Sequence, residues 1–141
     1  MAVYNKFNQF VEDVAEKIHN LGADTLKVML TLTAPVATNS IKADLTEIAA
    51  GNGYAAGGTA TTITSSAQTS GVYKLVITDV VFTASGGSIA NFRYIVLYND
   101  TPTAPADPLI GFYDYGATVT VTDGNPFTTD FSAANGVIQI T

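Results

Sequence analysis

At 141 residues, 47% hydrophobic and carrying 7 Tyr and 7 Phe, the chain is sized for one domain with a core of its own. Charged residues make up only 13%, about half the ~25% of an ordinary domain, and 6 scattered Lys and Arg against a net charge of −6 make no phosphate-binding patch, which argues against nucleic acid as a partner. Without Cys there are no disulfides or thiolate metal sites, and with no secretory h-region and no apolar stretch of membrane length the expectation is a soluble chain, made in the cytoplasm, with no membrane partner.

Residues 4–21 carry the clearest helical period. Phe7, Phe10, Val11, Val14, Ile18 and Leu21 follow three- and four-residue spacings, with Glu12, Asp13, Glu16 and Lys17 mostly on the other face. This predicts an amphipathic helix of about four turns, ended by Gly22 in a left-handed conformation. The apolar stripe either packs on the chain's own sheet or serves as an arm that docks on a neighbour. Phe7, Phe10, Val14 and Ile18 are the candidate residues for such a contact with a neighbour.

From Thr25 the period becomes two. Leu26, Val28 and Leu30 alternate with Lys27, Met29 and Thr31, the pattern of a half-buried strand. Ser40 to Ala50 reads as a short helix or turn, and Gly51 to Gly58, with four Gly, as a loop with Tyr54 tucked in. That loop lacks the Lys-Ser/Thr ending of a phosphate-binding loop and no helix pattern follows it.

The rest reads as an antiparallel meander. Thr61 to Thr64 is a short strand, and Val72 to Ala84 a long one with Tyr73, Leu75 and Ile77 on one face. After the Gly86-Gly87 turn, the apolar run within Ser88 to Tyr98 predicts a central strand buried on both faces. Thr101 to Pro108 holds three Pro and is a loop. Leu109 to Tyr115 and Ala117 to Thr122 are strands divided at Gly116, and Pro126 to Phe131 and Val137 to Thr141 close the chain. Asp123-Gly124 and Asn135-Gly136 are two-residue hairpin signals. The expected fold is mainly β: an antiparallel β-sandwich, jelly-roll-like, with one N-terminal amphipathic α-helix. Residues 1–23 form the helix or arm and 24–141 a single β-sandwich domain.

Chemistry-bearing residues are sparse. His19, at the expected helix end, is placed to face the negative end of the helix dipole. Asp107, Asp114, Asp123 and Asp130 lie beside turns or strand ends, where Asp usually bonds its own backbone; their spacing matches neither a calcium loop nor a glycosidase pair. Tyr113 and Tyr115 share one strand face, opposite Phe112, a pattern that fits a core edge or a subunit contact better than a sugar platform. No nucleophile–base arrangement can be read, so the expectation is a protein that is not an enzyme and has no cofactor.

Several motifs carry a resemblance. Tyr4-Asn5-Lys6-Phe7-Asn8-Gln9-Phe10, Asp24-Thr25-Leu26-Lys27-Val28-Met29-Leu30, Glu47-Ile48-Ala49-Ala50-Gly51-Asn52-Gly53-Tyr54, Phe92-Arg93-Tyr94-Ile95-Val96-Leu97-Tyr98-Asn99-Asp100 and Pro108-Leu109-Ile110-Gly111-Phe112-Tyr113-Asp114-Tyr115-Gly116 are similar to those of small virion structural proteins of tailed phages. The likeness runs over nearly the whole chain, and the role closest to it is that of capsid decoration (cement) proteins. The resemblance implies a β-sandwich module, commonly a homotrimer, on the outer surface of the virion head. Its partners there are the major capsid protein and copies of itself. A tail- or fibre-associated module that recognises a host-surface glycan is the alternative.

Overall fold

The computed structural model describes residues 2–141. In chain order the elements are β1 (Val3–Lys6), α1 (Gln9–Ala15), β2 (Leu26–Thr31), a single 3-10 turn (Lys42–Asp44), β3 (Thr59–Ala60), β4 (Ile63–Thr69), β5 (Val72–Ile77), β6 (Val80–Thr83), β7 (Phe92–Asn99), β8 (Leu109–Val119), β9 (Pro126–Thr129) and β10 (Ile138–Ile140). The fold is mainly β, with antiparallel sheets and one α-helix. A five-stranded sheet runs β1-β8-β7-β2-β3, a three-stranded sheet β10-β5-β4, and a two-stranded sheet β6-β9.

One large core joins these sheets. Val28 and Leu30 of β2, Ile95 and Leu97 of β7 and Ile110 of β8 meet Leu75 and Ile77 of β5, Val80 and Phe82 of β6 and Ile138 of β10. The five-stranded sheet therefore packs by one face on the two smaller ones, a two-layer arrangement. Its other face holds a second cluster of Phe7, Met29, Val96, Tyr98, Leu109 and Phe112. This double cover corrects the half-buried reading of β2. Met29 and Thr31 are fully buried, because β2 lies between β7 and β3 with both faces covered. The central position expected for the 92–98 segment holds, since β7 lies in the middle of the sheet.

The N-terminal helix is shorter than its periodicity implies. Residues 3–6 are a strand, paired with Gly111–Asp114 of β8. The Tyr4 ring lies over Gly111, where an added Cβ would force the ring to swing aside. The helix stops at Ala15, and Lys17, not Gly22, takes the left-handed position, with φ +66°. Lys17 N–H donates to Val14 O and Ile18 N–H to Asp13 O, the paired bonds of a Schellman motif. Residues 3–15 thus form one body with the strands that follow.

Further differences lie in the connections. The long strand expected over Val72 to Ala84 is β5 and β6, which enter different sheets; between them Asp79 Oδ1 accepts the Phe131 N–H at 2.8 Å and Thr78 Oγ1 accepts the Thr62 N–H at 3.0 Å. The strand expected at Thr61 to Thr64 is instead β3 and the much longer β4. The two strands expected around Gly116 are one, β8, because Gly116 at φ +93° carries the chain through a register shift from Tyr94↔Asp114 to Phe92↔Val119. Asp123-Gly124 and Asn135-Gly136 do turn the chain, but neither closes a hairpin: β9 pairs with β6, and β10 with β5. Gly124 N–H donates across to Ala84 O, so this turn serves a crossing between sheets.

Candidate functional site

Of the four residues marked for an intermolecular contact, the structure buries two in the chain itself. Phe7 is fully buried in the second cluster, its ring centroid 5.1 Å from that of Phe112. Phe10 is buried in the main core, 5.2 Å from the His19 ring. Val14 and Ile18 are half-buried, with Val14 packed against the main core. The four do not form one outward stripe, because β1 and a two-turn helix aim Phe7 and Phe10 into different clusters. The helix instead exposes Val11, at 55%. Val11 lines a groove of about 580 Å³ with Tyr4, Lys6, Val14, Ile138 and Ile140. The groove runs between β1 and α1 on one side and β10 on the other. Val3 and Ile140, also exposed, went unmarked in the sequence because neither belongs to the helical period.

His19 does not cap the helix. It is buried in a polar cluster that ties α1 and the following turn to β7. Asn99, fully buried, donates through Nδ2 to Asp24 Oδ2 at 2.6 Å and to His19 Nδ1 at 3.1 Å. Asn99 Oδ1 accepts the Thr101 N–H at 3.1 Å. With Nδ1 accepting, the imidazole proton sits on Nε2, which faces Asp13 Oδ2 at 3.9 Å. Burial lowers the His19 pKa from its ordinary value, against the opposing pull of Asp13 and then Asp24. The imidazole is therefore neutral near pH 7. Its hydrogen-bond partner is an amide and its nearest charged neighbour a carboxylate, an arrangement without a nucleophile and suited to structure.

The aromatic strand behaves as its alternation predicts. Phe112 faces the second cluster, while Tyr113 packs on the main core, 5.9 Å from Phe131. Tyr115, exposed at 48%, sets its edge against Phe127 at 5.8 Å. Tyr113, Tyr115, Phe127 and Phe131, with Ile95 and Asp130, line a cleft of about 190 Å³. Burial pushes the Tyr113 hydroxyl up to about 12.

The four Asp residues stand apart. Asp114 is forked by Arg93, Nε to Oδ1 at 2.7 Å and Nη2 to Oδ2 at 2.9 Å, and accepts the Gly116 N–H at 2.8 Å. Arg93 first, then the Gly116 amide, hold its carboxyl below the usual range. Asp123 accepts the Gly86 N–H, Asp107 bends the chain at φ +51°, and Asp130 lines the cleft. Among the described residues, no group of three or more His, Asp or Glu is placed to hold a metal.

The glycine-rich loop is packed inward. Tyr54 is buried, and its hydroxyl accepts the Leu30 N–H and donates to Glu47 Oε1. The same carboxylate oxygen accepts the Gly57 N–H at 2.6 Å. A carboxylate stands where a phosphate would need to sit, so the loop is no anion cradle. No helix among the described residues is long and apolar enough to cross a membrane. No protein-family model matches the chain, and no curated protein or solved structure matches it either.

Proposed function

We propose that the chain is a non-enzymatic structural protein of a tailed-phage virion, a decoration (cement) protein that binds the outer surface of the head through the major capsid protein and copies of itself. The observation that carries this reading is the motif series running from Tyr4 to Gly116, which resembles small phage virion proteins. The surface supports it: charge is sparse, and Val3, Val11, Val36, Val81 and Ile140 are exposed apolar side chains. The titratable groups support it as well, since His19, Glu47 and Asp114 are engaged in fixed internal contacts. A protein that binds only the assembled shell stabilises it by mass action, and a closed trimer would suit local threefold positions.

One observation favours the alternative of a tail or fibre module that recognises a glycan: the cleft beside exposed Tyr115 and Asp130. Electron cryomicroscopy of the purified virion separates the two. Density for this fold repeated over the head surface supports decoration. Density confined to the tail or to one vertex overturns it in favour of the binding module.

A further inference from the structure

β4 is the outer strand of the three-stranded sheet, and every residue from Thr64 to Thr69 is exposed. Edge strands normally carry a charge, a proline or a strong bulge that prevents pairing with another chain. β4 has a register irregularity only at its start, between Ile63 and Ser65, and contains neither Pro nor charge. It lies in the stretch 48–73, which holds no Asp, Glu, Lys, Arg or His in a chain of net charge −6. The other edges differ: β1 ends in Lys6, β3 has 2 residues, β10 has 3, β9 starts at Pro126, and β6 is shorter, with 4 residues of which Val80 and Phe82 are buried.

The hairpin fixes which backbone groups are free. Thr69 pairs with Val72 across a two-residue turn, with Ser70 at φ +51° and Gly71 at φ +84°. In such a hairpin the closing pair exchanges hydrogen bonds, and bonded pairs then alternate along the ladder. Thr69, Ala67 and Ser65 therefore bond β5, while the N–H and C=O of Ser66 and Gln68 point outward.

We propose that this edge pairs antiparallel with the same edge of a second copy, about a twofold axis through Ala67. Ser66 of each copy exchanges two main-chain hydrogen bonds with Gln68 of the other, and the Ala67 methyls meet at the axis. The sheets join as β10-β5-β4 against its symmetry mate. Charge selects the occupant. A twofold contact brings each residue near its own copy, so an acidic chain meets itself without repulsion only through an uncharged segment. The nearest charge, Lys74 opposite Ala67 on β5, has its amine drawn away to Ala134 O at 2.9 Å. This twofold contact goes beyond the self-association in the proposed function, because a closed trimer is built from head-to-tail contacts, and it does not require the virion setting.

The test is sedimentation velocity on the full chain over a dilution series, with amide hydrogen exchange read by NMR at both ends of the series. The expected result is reversible dimerisation, with the Ser66 and Gln68 amides gaining protection as concentration rises and the Ala67 and Thr69 amides unchanged. Gln68→Pro removes one outward donor, and Ala67→Lys places like charges at the axis. Both are expected to abolish the dimer. Should Gln68→Pro disturb the hairpin, Ala67→Lys decides, because residue 67 is exposed. A chain that is monomeric at every concentration, or an oligomer that Ala67→Lys leaves intact, overturns the proposal. A dimer that responds to these variants stands even where imaging finds no copy on a virion, so the two readings fail separately.

Discussion

The Tyr54 hydroxyl donates to Glu47 Oε1 at 2.6 Å while accepting the Leu30 N–H at 3.1 Å. One oxygen thus ties the glycine-rich loop and the segment before it to the middle of β2. Burial, and then the bond to Glu47, raise the Tyr54 pKa well above its usual value, so the group stays a neutral donor. Tyr54→Phe keeps the ring against Phe82 but leaves the buried Leu30 N–H without its acceptor and takes one of two donors from Glu47 Oε1. The expected loss is about 1–3 kcal/mol, read as a lower urea midpoint at unchanged slope. An unchanged midpoint would show that this bond does not hold the loop.

Two glycines in left-handed conformation should respond very differently to alanine. At Gly58, φ +74°, an added Cβ would run into the Val28 carbonyl, which belongs to the sheet interior and cannot move aside. At Gly71, φ +84°, nothing lies within 4 Å of the added carbon. Gly71→Ala meets only the backbone penalty of about 1 kcal/mol. Gly58→Ala adds the clash and should lose more than about 2 kcal/mol. Thermal melts of the two variants test the ranking, and equal losses would contradict the close approach of the loop to β2.

Phe10 and Val11 separate folding from association on one short helix. Phe10→Ala empties a site in the main core and should destabilise by about 3–5 kcal/mol. Val11→Ser removes an exposed methyl pair from the rim of the groove and should leave the melting temperature nearly unchanged. If the groove between β1, α1 and β10 contacts a capsid subunit, Val11→Ser weakens binding to purified heads while Phe10→Ala weakens the isolated protein. Normal head binding by Val11→Ser would remove the groove from the contact surface.

The strand-rich architecture was legible because it rests on local signals. The period-two run at Leu26, the apolar run ending at Tyr98 and the glycines at 86 and 87 each act within a few residues. The failures are tertiary. Val3 to Lys6 extends because β8 offers an edge, with Gly111 leaving room for the Tyr4 ring, and nothing within the N-terminal segment encodes that partner. Asp123-Gly124 looks like a hairpin, yet its strands go to different sheets, which the turn chemistry does not specify. The buried cluster was least visible of all: Asp13, His19, Asp24 and Asn99 are spread over 87 positions, and Asn99 gave no signal beyond its place after an apolar strand.

That cluster sets the expected acid response. His19 is kept neutral in the folded chain, its pKa lowered by burial, so below about pH 6.5 the unfolded chain binds the proton more readily. Stability from this site is present above that value and is lost as pH falls through it. Protonation at Nδ1 also breaks the bond from Asn99 Nδ2, whose amide cannot simply flip, because Asn99 Oδ1 already accepts from Thr101. Two carboxyls shift in the same protective sense but in a lower window. Asp44 is held down by the Ser40 and Ile41 amides, and Asp114 by Arg93 and the Gly116 amide. Their contributions persist above the unfolded carboxylate value of about 4 and are lost only below it. The urea midpoint should therefore be lower at about pH 5 than at about pH 7.5. His19→Asn, whose Oδ1 takes over the role of Nδ1 as acceptor from Asn99, should flatten that difference. An equal slope in the two proteins would assign the acid sensitivity to another group.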